Sequence, residues 1–275
     1  MTIRPRFHLV FCLTALLAAP LAAQQAHDAP ALLAPNRTLI LLDPAHGGPD
    51  SGSHLKDNLL EKDVTLALAT RLKATLIAHG FQVVTTRDAD TGLTSDQRAE
   101  LANHARPFAC VLLHASNSGS GPYLSTSSLA PSTEDRIGLP WDTAQSAFVS
   151  DSLALLNLTS KTFTSSRLPV ITLRASVPPI DSLTCPALLL ELGPLAKSAV
   201  TDTDYQQTVA DALTTALTAW RQQADTAITN TTPAPDAPAA KPKAPKPAPD
   251  AKPAPPKPPA TAPAPPPVPK PGGAK

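Results

Sequence analysis

Three apolar runs of this 275-residue chain each stop at a side chain able to bind a metal or carry a proton. Leu39-Ile40-Leu41-Leu42 leads through Asp43-Pro44-Ala45 to His46 and a glycine pair, and Glu61 follows fifteen residues later. Cys110-Val111-Leu112-Leu113 ends at His114, and Leu188-Leu189-Leu190 ends at Glu191. Two imidazoles and one carboxylate satisfy a catalytic zinc while leaving its fourth tetrahedral position to water. A further carboxylate off the metal can take a proton from that water and deliver it to a departing nitrogen. Together these residue types point to zinc-dependent hydrolysis. Each also has a plainer reading. His46 can be a turn histidine, Glu61 can complete a capping box with Asn58, and His114 can be a core histidine bonded to backbone. Glu191 is harder to explain that way, because a buried carboxylate without a partner is costly.

Such residues need rigid elements behind them. Thr38 to Asp43 is nearly all apolar, as expected of a strand covered on both faces. A helix is expected from Leu59 to His79, with Val64, Leu68, Leu72 and Leu76 on one face and Gly80 as its stop. Phe81, Val83 and Thr85 alternate as a strand. Thr94 with Gln97 is a capping-box pair opening a helix to Ala105, and Phe108 to Leu113 is another buried strand. Asn117 to Ser128 reads as a loop on a cleft rim. Asp142 with Gln145 can cap a helix carrying Ala144, Ala147, Phe148, Asp151 and Leu155. Strands are expected at Leu168 to Leu173 and Ala187 to Leu190, and a last helix from Asp204 to Ala224. Alternating strands and helices predict one three-layer α/β domain, with a central, mostly parallel sheet flanked by helices.

The ends differ in kind. Residues 1–23 have the pattern of an export signal: Arg4 and Arg6, an apolar core from Leu9 to Leu17, then a small-residue exit. That core is too short to span a bilayer. Residues 24–37 read as a linker, 38–226 as the folded domain, and 227–275 as a Pro/Ala/Lys-rich tail. The stretch from Asn230 holds 18 of the 33 prolines and lacks the apolar surface to offset the entropy of ordering, so it is expected to be disordered or extended. Residues 24–232 carry 14 basic and 20 acidic side chains, a net −6, whereas Pro233 to Lys275 carries seven lysines and two aspartates, a net +5. The overall charge of +1 thus hides an acidic domain with a basic tail. Cys110 and Cys185, both beside expected core strands, read as packed thiols more than as a bridge.

The motifs in order resemble a known family. Asp43-Pro44-Ala45-His46-Gly47-Gly48, Glu61-Lys62, Thr86-Arg87-Asp88, Arg98 with Ala102-Asn103, Leu113-His114-Ala115 and Pro186 through Gly193 resemble the zinc-dependent N-acetylmuramoyl-L-alanine amidases of the amidase_3 type, across residues 38 to 222. The resemblance implies that His46, Glu61 and His114 hold Zn2+ and that Glu191 is the catalytic carboxylate. It implies peptidoglycan as substrate, cut between muramic acid and L-alanine; with the signal pattern, the enzyme is expected to be exported and monomeric, without nucleic-acid partners or a transmembrane anchor after signal removal. Ala45 stands where the family usually has Gly, Ser116 where it often has Asn, and Pro194 where an aromatic is usual. The tail is expected to touch anionic envelope polymers or to serve as a spacer. Arg87 and Arg98 are expected to hold the loop between them, and His54 is a spare cleft candidate. The competing readings are a zinc carboxypeptidase or peptidase on stem peptides, and a non-catalytic peptidoglycan-binding regulator.

Overall fold

The computed structural model describes residues 36–132 and 139–231, with side chains to residue 227. The expected signal segment, most of the linker and nearly all of the tail lie outside the described residues. In chain order the elements are β1 (Asn36–Pro44), α1 (Glu61–Ala78), β2 (Gln82–Thr85), α2 (Ser95–Ala105), β3 (Pro107–Ala115), β4 (Tyr123–Thr126), α3 (Val149–Ser165), β5 (Ile171–Arg174), β6 (Ala187–Leu192) and α4 (Thr203–Thr231). Single 3-10 turns occupy Lys56–Asn58 and Ile180–Ser182, and a longer 3-10 stretch occupies Trp141–Ala147.

Six strands form one sheet in the order β2-β1-β3-β6-β4-β5. The β2, β1, β3 and β6 strands run parallel, and β4 joins β6 antiparallel. Strand alternation divides the core. Ile40, Leu42, Val111, Leu113, Leu188 and Leu190 face α1, α3 and α4 in one apolar cluster. Leu41, Cys110, Leu112, Ala187 and Leu189 face Ala99 and Ala102 of α2, with Ile180, in a second. The expected three-layer α/β domain is therefore present. Among the described residues no helix is long and apolar enough to cross a membrane.

Several local expectations are corrected. The stretch expected as loop contains β4, which owes its strand character to pairing with Leu189 to Glu191 of β6 rather than to its own composition. The expected helix opening at Asp142 starts instead at Val149. Gln145 is buried and uses its amide on Ser152 Oγ and the Cys185 carbonyl. Asn58 does not cap α1: it has φ +58°, and the N-cap is Leu60 without a side-chain bond. The Thr94–Gln97 capping box is formed as expected. Cys110 and Cys185 are bridged, with Cα atoms 6.1 Å apart, contrary to the expectation of packed free thiols. Both are still buried. The pairing follows from register, since Cys110 lies opposite Ala187 and its N–H donates to the Pro186 carbonyl.

Candidate active site

From β1 the chain crosses by α1 to β2 on one side and then by α2 to β3 on the other, and α1 and α2 cover opposite faces of the sheet. Such a switch opens a crevice beyond the carboxyl ends of the two central strands. His46 follows β1 and His114 is the penultimate residue of β3, so both reach that crevice. Glu61 enters from the first residue of α1.

The three side chains converge. Their nitrogen and oxygen atoms lie within 4.8 Å of one another. Glu61 Oε1 is 2.9 Å from His114 Nδ1, and Glu61 Oε2 is 3.2 Å from His46 Nε2. The Ala115 and Ser53 amides donate to the same two oxygens, at 3.2 and 2.9 Å. Glu61 is only 3% exposed. Burial opposes its ionisation, but the His114 and His46 contacts and the two amides outweigh that cost and hold its carboxyl far below the usual carboxylate range. The charge is thus fixed in place. On its outer side His46 Nδ1 lies 2.8 Å from Asp50 Oδ2. An imidazole anchored to a carboxylate at one nitrogen presents the other to a metal. The Glu61 contact raises the His46 pKa against the opposing effect of burial, and Asp50 adds to the rise. His46 in turn holds Asp50 below its ordinary value. Two ring nitrogens and a buried, ionised carboxylate fit a divalent cation in charge and ligand type.

Backbone conformation and two arginines set this geometry. His46 has φ +63°, a region that costs an L-residue about 1–2 kcal/mol. Arg87 is buried and donates to the carbonyls of Pro44, Ala45, Lys62 and Ala89. Arg98 donates to Pro44 and His46 carbonyls and pairs with Asp43 at 2.6 Å, while Thr86 donates its hydroxyl to Asp43 as well. The arginines therefore are structural as expected, but they gather successive carbonyls of the turn that carries His46 more than they hold the loop between them, where Arg87 reaches Ala89 and Arg98 reaches Leu93. Lys62 pins the next turn through the Gly48 carbonyl and Asp90. Gly52, at φ +63°, packs on the cluster itself: a Cβ there would stand 2.5 Å from the His46 ring and 2.8 Å from Glu61 Oε2.

Glu191 is the direct register partner of His114 on the neighbouring parallel strand. Partners in a parallel ladder leave the sheet on the same face, so Glu191 projects beside the cluster without joining it. It is half-buried, with β4 on its other side. His54 is exposed and outside the cluster. His79 ends α1 with Nδ1 on the Thr75 carbonyl, and His104 sits in the last turn of α2. Asp50, Gly52 and Asn117 were not singled out by sequence. Asn117 accepts from the Lys56 amide and donates to the His54 carbonyl, across 61 and 63 residues, tying two crevice walls together. A groove of about 600 Å³ runs between these walls and residues 194–201, with Ser116 and Pro194 in its lining.

A family model described as N-acetylmuramoyl-L-alanine amidase matches residues 40–219. A germination-specific N-acetylmuramoyl-L-alanine amidase of Bacillus subtilis is 38% identical over 90 residues, covering 28% of this chain and 38% of that protein. The N-acetylmuramoyl-L-alanine amidase AmiA of Salmonella typhimurium is 35% identical over 80 residues, 29% of this chain and 28% of that protein. The aligned stretches thus span well under half the length of these curated relatives. Among solved structures, the catalytic domain of the amidase CwlV from Bacillus (Paenibacillus) polymyxa matches with TM-score 0.54 and 26% identity, covering 67% of this chain and 98% of that one. The amidase AmiC2 of Nostoc punctiforme matches with TM-score 0.55 and 25% identity, over 68% and 99%. With the matched region taking in both central strands, the crevice and all four helices up to residue 219, this chain belongs to the N-acetylmuramoyl-L-alanine amidase family.

Proposed function

We propose that this protein is an exported zinc amidase that hydrolyses the bond between N-acetylmuramic acid and L-alanine in peptidoglycan. The observation that carries this is the convergence of His46, Glu61 and His114 at the mouth of the crevice, in a chain of the amidase family. Those three residues would hold the metal. A zinc ion there supplies Lewis acidity, toward water and toward the amide carbonyl. Asp50 orients His46, and the Ser53 and Ala115 amides orient Glu61. Glu191, beside His114, takes the proton from the attacking water as hydroxyl adds to the carbonyl carbon, then returns it to the alanine nitrogen as the C–N bond breaks. A peptidase acting within stem peptides is not favoured, since the family model and the named relatives are amidases.

Export is supported by the substrate's location and by the buried Cys110–Cys185 bridge, because disulfides persist in oxidising compartments. The test is digestion of purified sacculi, with mass spectrometry of the released fragments. Free stem peptides with an N-terminal alanine are expected, and intact muramoyl peptides cut elsewhere would overturn the assignment. Glu191→Gln should retain metal and lose about 100- to 10,000-fold in turnover. His114→Ala should lose the metal itself, and stoichiometric zinc in that variant would remove His114 from the ligand set.

A further inference from the structure

The groove beside the metal cluster has a composition that the proposed mechanism does not use. Its floor is apolar, with Leu55 and Val200 buried and Leu59 and Leu195 partly so. Its rim carries Lys56 on one wall and Lys197 on the other, both exposed. The described residues include five lysines, of which Lys62 and Lys73 are paired to aspartates. Neither Lys56 nor Lys197 makes an ion pair among the described residues. Asp57, in the left-handed region at φ +62°, is the one acidic side chain in the lining. The groove is therefore locally positive on a domain whose net charge is negative. Its lining adjoins the candidate site along the chain on three segments: Leu59 lies two residues before Glu61, Ser116 two after His114, and Pro194 three after Glu191. The Lys56 wall is held in place by the two Asn117 amide contacts.

We infer that this groove is the subsite for the leaving peptide, and that Lys56 and Lys197 recognise a carboxylate on the residue that follows its alanine. The inference rests on the proposed amidase reading. An extended peptide leaving the crevice along this path lays its aliphatic portions on the leucine floor and brings an acidic group between the two cations. Exposed cations steer and select an anionic ligand without carrying the chemistry, and they do so in a salt-sensitive way. The two lysines are specificity residues, not catalytic ones.

The experiment compares two soluble substrates, N-acetylmuramoyl-L-alanyl-D-isoglutamate and its α-amide, on the zinc-loaded full chain. Wild type should prefer the acid through KM, with similar kcat. In Lys56→Gln/Lys197→Gln the acid's KM should rise about fivefold to tenfold, the scale of two exposed ion pairs, and the acid-to-amide ratio should fall toward one. Lys197→Glu should invert the ratio. Calorimetric titration of the product peptide, L-alanyl-D-isoglutamate, into the same proteins reads the groove without turnover. If wild type cleaves both substrates without preference, or the glutamine variants keep the preference, the inference fails and the amidase reading stands. If wild type cleaves neither but binds the acidic peptide through the lysines, the amidase reading fails and the leaving-peptide role falls with it, while the groove stands as a site for an acidic peptide. If wild type does not bind the peptide, the groove assignment fails whatever the activity.

Discussion

Gly52 is the residue where the candidate site tolerates least. A side chain there would meet both the His46 ring and the Glu61 carboxylate, on a backbone already at positive φ. Gly52→Ala should weaken metal binding about 10- to 100-fold, the scale of changes to groups that support ligands, as read by competitive zinc titration of the metal-free protein. Unchanged affinity would mean that the loop relaxes outward at no expense to the ligands. The candidate residues His46, His114 and Glu191 were legible in sequence because each follows an apolar run. Their supports were not. Asp50 and Gly52 matter through a turn whose path is set by the distant Arg87 and Arg98, and Asn117 acts on a wall some sixty residues away. No local pattern encodes such contacts.

At the level of elements, the parallel strands and the long helices were legible from periodicity and from the Thr94–Gln97 cap. What escaped was whatever depended on a neighbour. Tyr123 to Thr126 is a strand because β6 offers it an open ladder, and a glycine- and serine-rich flank hides that in the sequence. The Cys110–Cys185 bridge likewise depends on β3 and β6 being adjacent in register. Its energetic weight follows from the 75 residues it spans. Replacing both cysteines by alanine should lower stability by about 2–5 kcal/mol, mainly by freeing the unfolded chain. Denaturant unfolding checks this, and a loss below about 1 kcal/mol would show that the covalent link contributes little to stability there.

For the whole molecule, the separation of charge is the dominant feature. The acidic domain carries the crevice, and the basic residues beyond Thr231 carry none of the candidate site residues. Deleting residues 232–275 should leave hydrolysis of a small muramoyl peptide unchanged. The same deletion should weaken sedimentation with sacculi at low salt, with the difference vanishing at high salt as the charges are screened. Equal sedimentation at every ionic strength would reduce the tail to a spacer. The bridge has a different consequence at this scale. Between β3 and β6 the chain leaves the central strands, builds β4, α3 and β5 along one edge, and returns. Cys110 and Cys185 close that excursion at its base, so the outer lobe is a covalent ring hung on the catalytic strands. A protease that cuts the ring once does not release a fragment. The nicked protein should migrate as two pieces on a reducing gel and remain joined on a non-reducing one, with both halves of the crevice still tethered to each other.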